Sequence, residues 1–324
     1  MNIKQFIDQC LNENPCEAEI RYDESMKDRT TFRVGGKADC YIKPYGEGFL
    51  SFCTGLLTRA RSSNVPVFIL GGGANIVVSD KGIRGIVLDM GAWKSENVFS
   101  PCTEKNEYVF KSGTNIDDAA DFACEAFLSG LEFLAGMPGT IGGAVWMNAR
   151  CYGKEMADVL SWVEIIGRDQ VPGVKDQDFK IKRFEIKDGE GFGYKESPFQ
   201  KMDCMIISAA FKLKKGDKEK MLIDMESNRQ DRKNKGHYNF PCAGSAFKNN
   251  RDFGKPTGQI IDELGLKGLK RGGAQVAPFH GNIIINTGNA DAGDIRALVD
   301  EIADNVKKKA GFILEPEILF AGEW

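Results

Sequence analysis

Two glycine-rich segments constrain the fold of this chain more than any other feature of its sequence. The first, GGGAN at residues 71–75, follows the apolar run 65–70, and the second occupies residues 136–144. Consecutive glycines expose backbone N–H groups and tolerate positive φ, so such a loop can surround phosphate oxygens. A plain tight turn explains either loop alone. Two such loops in one chain favour a long ligand with two contact regions, such as a dinucleotide.

The first glycine segment belongs to a strand–helix–strand unit. Residues 49–62 form a predicted amphipathic helix with Phe52 and Leu56 on one face. A glycine loop at the end of the following strand indicates an α/β or α+β fold that contacts its ligand there. The segment matches neither G-x-x-x-x-G-K-[ST] nor G-x-G-x-x-G, so neither a P-loop nor a Rossmann domain is predicted.

The rest of the chain continues to alternate between strands and helices. Residues 1–28 are predicted to contain a helix and a lead-in, and the helix that ends near residue 309 is expected to stop at Gly311. The other predicted elements are strands at 30–44, 76–78, 83–88, 109–114, 162–166, 179–186, 205–213, 272–285 and 312–320, and helices after Asn115, after Asp217, at 256–264 and at 294–309.

Composition limits the class of protein. The chain has 324 residues, 42% hydrophobic and 27% charged, which predicts two or three globular domains. A net charge of −3 argues against a nucleic-acid partner. No apolar run reaches the roughly 20 residues of a membrane span, and the N-terminus lacks a signal-peptide pattern. We therefore expect a cytoplasmic protein with no membrane partner.

Cysteine and histidine usage limits the chemistry. Nine dispersed cysteines, none in a C-x-x-C pair, predict reduced thiols that are mostly buried. The chain has two histidines, so neither a zinc site nor a histidine-activated nucleophile is expected. His280 is predicted to be structural, while His237 lies beside Tyr238 and could touch a ligand. No metal is predicted.

Ser245 lies in the loop YNFPCAGSAFKN at residues 238–249, between Gly244 and Ala246. Such a loop presents one hydroxyl at close range, for proton donation, for nucleophilic attack or for capping a turn. The sequence around it is not G-x-S-x-G, which weakens a serine hydrolase interpretation.

Charged residues near the ends of two predicted elements are further candidates. The basic residues at 229–235 are either a solvated helix end or a site for a diphosphate. Glu315 and Glu317 stand two apart on the predicted terminal strand and should share one face. Either may simply pair with a lysine. The segment 194–197 is by itself only a turn.

Five motifs in order carry a resemblance to a known family. GGGAN, AGMPGTIGGAVWMNARCYG, FGYKES, PCAGSAFKN and LEPEI together resemble the UDP-N-acetylenolpyruvoylglucosamine reductase family, over residues 30–320. The resemblance implies an α+β chain with a vanillyl-alcohol-oxidase-type (PCMH-type) two-lobe FAD-binding fold and a C-terminal α/β substrate-binding domain. It assigns residues 1–90 to FAD lobe 1, with 312–324 returning near the site, 91–214 to lobe 2 and 215–311 to the substrate domain.

The resemblance also implies an activity. Members hold FAD non-covalently, take hydride from NADPH and reduce the enolpyruvyl ether of a UDP-amino sugar to UDP-N-acetylmuramate for peptidoglycan synthesis. The short connection from Ser197 to Ser245 indicates the subtype without a substrate-loop insertion. We expect a monomer. The rival interpretations are another FAD oxidoreductase of this fold, a serine hydrolase and a non-catalytic nucleotide-binding module.

Residue roles follow by matching motifs. Ser245 matches the family's proton donor, Glu317 its catalytic glutamate, and Lys195 stands where an arginine is usual. The expected substrate-binding residues are Tyr194, Arg229, Lys233, Lys248 and Asn249. The expected cofactor-binding residues are Arg33, Gly71, Gly72, Gly73, Ala74, Asn75, Gly113, Gly136, Pro138, Gly139, Thr140, Gly142, Gly143 and Asn148.

Three positions depart from the family's pattern. Lys195 replaces the planar two-point contact of an arginine by a point charge. Ala74 stands where a serine is usual and removes one possible phosphate hydrogen bond. Arg150 stands where a glycine is usual, and it either crowds the flavin site or contacts an anionic ligand.

Overall fold

The computed structural model describes residues 2–95, 101–102, 107–168, 178–187 and 189–324. The chain forms two compact units. The first unit comprises Met1–Tyr22, Asp39–Gly72 and Gly85–Arg229, and the second comprises Asp23–Ala38, Gly73–Arg84 and Gln230–Trp324. The boundary inside the first glycine segment falls between Gly72 and Gly73. Among the described residues, no helix combines the length and the apolar character that crossing a membrane requires.

The observed units differ from the predicted division at residues 90 and 214. The first unit runs on from Gly85 to Arg229 because Met221 and Met225, on the helix after residue 217, pack into the same core as residues 110–213. Residues 73–84 join the second unit because Ile76–Val78 pairs in parallel with the C-terminal strand Leu319–Ala321.

The first unit contains two sheets. In the four-stranded sheet the order is Glu17–Ser25, Lys37–Tyr45, Ile83–Asp89 and Val67–Leu70, and the last two strands are parallel. In the five-stranded sheet the order is Lys180–Glu185, Leu160–Gly167, Cys204–Lys212, Glu107–Lys111 and Pro101–Cys102, all antiparallel. Short strand pairs join Arg150–Cys151 to Lys154–Glu155, and Leu128–Ser129 to Lys214–Lys215.

The helices of the first unit bury apolar faces against these sheets. Phe52, Leu56 and Leu57 of one helix lie in the same core as Ile86 and Leu88 of the four-stranded sheet. The helices are Ile3–Glu13, Phe49–Ser62, Ile116–Glu125 and Ile141–Trp146, with 3₁₀ turns at Glu132–Leu134, Met156–Asp158 and Pro198–Lys201. The helix Lys218–Asn234 begins in this unit and passes into the second after Arg229.

The predicted helix at 49–62 is confirmed with the predicted bounds. The N-terminal prediction was incomplete, since the helix ends at Glu13 and Glu17–Ser25 is a strand. None of that strand's residues is buried, so its sequence lacks the apolar alternation by which strands are recognised.

The second unit has one apolar core around a small antiparallel sheet. Its strands are Lys270–Arg271, Ala274–Val276 and Ile284–Asn286, its helices are Thr257–Glu263 and Ala292–Ala310, and its 3₁₀ turns are Met26–Arg29 and Arg251–Phe253. The long helix places Ile295, Leu298 and Ile302 in this core. It ends at Gly311, which has φ 76°, as the sequence predicts.

The predicted terminal strand at 312–320 was wrong over most of its length. Only Leu319–Ala321 is a strand. Before residue 319, the segment makes an isolated bridge between Pro316 and Phe247 instead of a continuous ladder.

Candidate active site

The first unit brings the two predicted glycine loops together. A Cβ added at Gly71 would lie 2.7 Å from Thr140 Oγ1, and a Cβ added at Gly72 would lie 2.8 Å from the Gly139 Cα. No side chain fits at such distances, so the close approach requires glycine at 71 and 72. The sequence predicted two loops that contact one ligand, and the structure places them against each other.

Backbone donors line this junction. Among the residues that the structure describes, the N–H groups of Gly71, Gly72 and Gly139 have no hydrogen-bond acceptor. All three residues are partly exposed. Unpaired N–H groups on two adjoining glycine loops are suited to the oxygens of a phosphate or a pyrophosphate.

Ser112 adds a buried hydroxyl beside the second loop. Its carbonyl oxygen accepts from Gly142 N at 2.8 Å, and a Cβ at Gly142 would lie 2.8 Å from the Ser112 Cβ. The Ser112 side chain is 1% exposed, and within the described part of the chain its Oγ has no partner. A buried hydroxyl in that state is a candidate contact for a bound ligand. Sequence reasoning missed Ser112, whose only signal was its place after an apolar strand.

Gly113 is required by packing. A Cβ there would collide with the carbonyl oxygen of Met90. Either Thr114 or Asn115 could cap the helix Ile116–Glu125 by sequence, and the structure shows that Asn115 does so by accepting from Asp117 N.

Asp117 and Arg229 support the second glycine loop. Asp117 Oδ1 accepts from Gly136 N at 2.8 Å, and Arg229 Nη2 donates to the same oxygen and to Asp121 Oδ1, both at 2.7 Å. Burial opposes the charge of Arg229, but the hydrogen bonds to both aspartates raise its pKa above the ordinary value. The observed partners of Arg229 are therefore two carboxylates of its own unit.

A tight turn presents Lys195. The N–H and the carbonyl of Gly193 bond reciprocally to the carbonyl and the N–H of Glu196, at 3.0 and 3.1 Å. Lys195 has φ 60°, a left-handed conformation that costs free energy in a non-glycine residue and clusters at functional sites. Such a backbone holds the direction of the lysine side chain.

Two buried side chains anchor this turn. Asn148 Nδ2 donates to Gly193 O at 2.8 Å, while its Oδ1 accepts from Ala157 N at 3.1 Å. Ser197 Oγ donates to Trp146 O at 2.7 Å. Asn148 was predicted to bind the cofactor, and its observed contacts are within the protein.

Arg150, one of the three departures, lies beside the same turn. Its guanidinium carbon is 5.9 Å from the centroid of the Tyr194 ring, and its Nη1 is 3.8 Å from Glu155 Oε2. Its side chain is 34% exposed. The guanidinium therefore adds positive charge near Lys195, within the first unit.

In the second unit, Ser245 and Glu317 lie on neighbouring backbone segments. Ser245 forms an isolated β-bridge with Ile283, and Glu317 N donates to the carbonyl of Ala246 at 2.8 Å. Glu317 is 8% exposed. Gly244 has φ 70°, which glycine adopts at little cost. The structure thus places the backbones of two of the three residues predicted to be catalytic, Ser245 and Glu317, on adjacent segments.

Glu315 and Glu317 stand in different environments, and that they share one face stays a prediction. The Glu315 side chain is 68% exposed and its Oε1 pairs with Lys248 Nζ at 2.6 Å, whereas Glu317 is buried. Pro316 between them pairs with Phe247 in an isolated antiparallel bridge. Lys248, predicted to bind substrate, therefore has a carboxylate partner of its own unit.

Asn75 anchors the segment that carries Glu317. Its Nδ2 donates to Glu317 O at 3.1 Å, and its carbonyl accepts from Leu319 N at 3.0 Å. The asparagine of GGGAN was predicted to contact the cofactor, and its observed bonds hold Glu317 in place.

The remaining predicted residues have simple placements. Asn249 Oδ1 accepts from Thr257 N at 2.9 Å at the start of a helix. Gly73 is buried with φ 61°, and Arg33 is exposed with φ 56°. Ala74 is half-buried, and the exposed residues are Pro138, Gly143 and Lys233.

The two histidines form a pair in the second unit. Their ring centroids are 6.2 Å apart. Burial, with help from Arg232, lowers the pKa of His237 to about 4. Burial also lowers the pKa of His280, whose Nδ1 accepts from Asn282 N at 3.1 Å. No group of three or more potential metal ligands occurs among the described residues.

Comparisons with known proteins identify the family to which the chain belongs. The family described as UDP-N-acetylenolpyruvoylglucosamine reductase, C-terminal domain, matches residues 236–321, and the family described as FAD binding domain matches residues 54–169. UDP-N-acetylenolpyruvoylglucosamine reductase of Treponema denticola is 40% identical over 320 residues, 95% of each chain. The Borreliella burgdorferi enzyme of that name is 37% identical over 303 residues, 92% of this chain and 93% of its own.

A solved structure is similar as well. The crystal structure of UDP-N-acetylenolpyruvylglucosamine reductase from Thermus caldophilus matches with a TM-score of 0.70 and 31% identity. The match covers 94% of this chain and 99% of that one. The likeness therefore extends over both units.

Proposed function

Because this chain belongs to the UDP-N-acetylenolpyruvoylglucosamine reductase family, we propose that it reduces UDP-N-acetyl-3-O-(1-carboxyvinyl)glucosamine to UDP-N-acetylmuramate with NADPH as hydride donor, in peptidoglycan precursor synthesis. The chain is a flavin-dependent oxidoreductase, and the predicted FAD-binding fold is confirmed. The other interpretations lack support of this kind.

The first unit contains residues that fit FAD. Gly71, Gly72 and Gly139 offer free N–H donors for a pyrophosphate, and Ser112 offers a buried hydroxyl. The chemistry that bound FAD supplies is the transfer of hydride from NADPH to the substrate.

Ser245 is the proposed proton donor. Hydride adds to the terminal methylene carbon of the enol ether, and the electron pair of the double bond moves toward the neighbouring carbon and its carboxylate. The Ser245 O–H bond then breaks as a C–H bond forms at that carbon, and water returns a proton to the serine oxygen. A serine hydroxyl is a weak acid, but a carboxylate enolate is a strong base, so orientation suffices for the transfer.

Glu317 and Lys195 are the proposed partners of the substrate carboxylate. Negative charge grows on that group as hydride arrives, and Lys195 would stabilise it as a point charge. A glutamate beside this anion must be protonated or paired with a cation.

The observation that carries this proposal is the backbone connection between the Ser245 segment and Glu317 through Ala246. Ser245 and Glu317 belong to different motifs and are 72 residues apart in the sequence. Chance would only rarely place two such residues on adjacent backbone segments. A hydrolase would require a histidine base, and the Nδ1 atom of His280 already accepts a hydrogen bond from Asn282 N.

The test is a visible spectrum of the purified protein before and after NADPH, without oxygen. The expected protein is yellow and loses its flavin absorbance with NADPH. Addition of the enolpyruvyl sugar nucleotide should restore the absorbance and yield a product heavier by one hydride and one proton. UDP-N-acetylglucosamine, which lacks the enolpyruvyl group, is the matched control and should restore nothing.

Two results would contradict the proposal. A colourless protein that binds no added FAD would remove the flavin chemistry. A flavin that stays attached after acid precipitation would favour an oxidase with covalent flavin.

A further inference from the structure

Phe247, two residues after Ser245, is fully buried, and both of its backbone polar groups bond to a side chain and not to another backbone. It pairs with Pro316 in an isolated antiparallel bridge. The bonds that flank this pair run from Lys248 N to Glu315 O at 2.9 Å and from Glu317 N to Ala246 O at 2.8 Å. In an antiparallel ladder, a residue between such bonds directs its own N–H and carbonyl away from the partner strand.

The side chain of Asn282 occupies that opposite side. Its Oδ1 accepts from Phe247 N at 3.0 Å, and its Nδ2 donates to Phe247 O at 2.8 Å. The Asn282 carbonyl also accepts from Ala246 N at 2.8 Å. A carboxamide has the acceptor and the donor of a peptide group, so Asn282 completes the ladder where the neighbouring strand has no peptide to offer.

The amide itself is held rigidly. Asn282 is 3% exposed, and its N–H donates to His280 Nδ1 at 3.1 Å. A Cβ added at Gly258 would lie 3.3 Å from the Asn282 Cβ, so the helix Thr257–Glu263 packs closely behind it. The rotamer of Asn282 is thereby restricted, as a residue that orients a catalytic group requires.

We propose that Asn282 is a positioning residue that sets the direction of the Ser245 hydroxyl by fixing both polar groups of the Phe247 peptide. The inference rests on the proposed role of Ser245 as proton donor. Without the carboxamide, the buried N–H and carbonyl of Phe247 lose their hydrogen-bond partners. The segment 245–248, which carries Ser245, must then shift so that these groups find other partners. Proton delivery depends on orientation, so it should suffer before hydride transfer from NADPH does.

Two substitutions separate the two halves of the contact. Asn282→Asp keeps the shape and the acceptor but replaces the donor to Phe247 O by an oxygen. Asn282→Leu keeps the approximate volume and removes both.

Asn286 is the matched control. It is 4% exposed, lies in the same unit, donates from Nδ2 to Phe32 O at 3.0 Å and accepts from Gly288 N at 2.8 Å. Asn286→Asp therefore makes the same chemical change in a similarly buried amide that does not touch residues 245–248.

The experiment measures the two half-reactions of the flavin-loaded protein by stopped flow, in water and in deuterium oxide. For both Asn282 variants we expect flavin reduction by NADPH within about twofold of wild type, and reoxidation by the enolpyruvyl substrate at least about tenfold slower. The solvent isotope effect on reoxidation should rise, and hydrogen exchange of the Phe247 amide should accelerate in Asn282→Leu. Asn286→Asp should change none of these.

Several results would overturn the inference. These are equal slowing of both half-reactions, a raised substrate KM with unchanged kcat, or the same kinetic pattern in Asn286→Asp. If Asn282→Leu does not fold, Asn282→Asp decides the matter by the same criteria. Ser245→Ala run in parallel separates the two proposals. If Ser245→Ala leaves the rate of flavin reoxidation unchanged, the proposed role of Ser245 is wrong. If Ser245→Ala slows reoxidation but the Asn282 variants behave as wild type, only the positioning role of Asn282 is wrong.

Discussion

Glu317 N donates to the carbonyl of Ala246 at 2.8 Å, so the buried glutamate sits one hydrogen bond from the residue that follows Ser245. Because both atoms of this bond belong to the backbone, it fixes the spacing between the Ser245 segment and the Glu317 segment independently of the side-chain conformations. A carboxyl group and a hydroxyl held on adjacent segments are a suitable pair for handling an anion and delivering a proton.

Ser245→Ala should separate the two half-reactions. NADPH will still reduce the bound flavin at a near-normal rate, because the serine takes no part in that step. Reoxidation by the enolpyruvyl substrate should slow by at least about a hundredfold, the usual loss when a positioned proton donor is removed. Rapid-mixing spectroscopy measures both rates. Equal slowing of the two steps would mean that Ser245 is structural.

Lys195→Arg should keep or raise kcat/KM, because a guanidinium can bind a carboxylate at two points and its stem fits the same turn. Lys195→Ala should lower kcat/KM by more than about tenfold, since the charge is lost. Lys201→Ala, at an exposed lysine of the nearby turn Pro198–Lys201, is the control and should behave as wild type. Complete loss of activity in Lys195→Arg would show that the lysine has a geometry of its own.

Gly72→Ala should weaken FAD binding by at least about tenfold, because the new methyl group would press on Gly139 Cα and separate the two glycine loops. The measurements are the flavin content after purification and the affinity of the apoprotein for added FAD. Gly293→Ala is the control, since its Cβ would meet nothing closer than 3.3 Å. Normal FAD affinity in Gly72→Ala would show that the loops tolerate separation.

The free energy of unfolding should rise with pH between about 4 and 6.5, partly through His237. The pKa of His237 is about 4 in the folded chain, against an ordinary value of 6.5, because burial and Arg232 disfavour the imidazolium. Between these values the unfolded chain binds a proton that the folded chain does not, so lowering the pH destabilises the fold. The contribution of His237 to the free energy of unfolding is complete above pH 6.5, its ordinary pKa. It is lost as the pH falls toward about 4, its pKa in the folded chain.

Urea unfolding at a series of pH values measures this effect. His237→Gln removes the titrating group, so its unfolding free energy should fall less steeply over that interval than that of the wild type. Identical slopes in the two proteins would show that His237 titrates alike in the folded and the unfolded chain.

Patterns of neighbouring residues correctly predicted the helices whose apolar spacing and end signals lie within the helix itself. The helix Phe49–Ser62 has its apolar residues at helical spacing, and the helix Ala292–Ala310 has a capping box at Asp291 and a glycine stop, so both were recognisable. The strand Glu17–Ser25 was missed because it buries none of its residues. The strand expected at 312–320 was overextended because the segment before Leu319 makes an isolated bridge at Pro316 and not a continuous ladder.

The sequence by itself determined the family, the glycine loops and the identity of Ser245 and Glu317, because each depends on residue type and order along the chain. Only the tertiary structure decided that Gly72 abuts Gly139, that Arg229 pairs with two aspartates, that Glu315 pairs with Lys248 while Glu317 is buried, and that Asn282 completes the backbone bonding of Phe247. These relationships join residues far apart in the chain. Their distances and hydrogen bonds follow from packing, which no local pattern encodes.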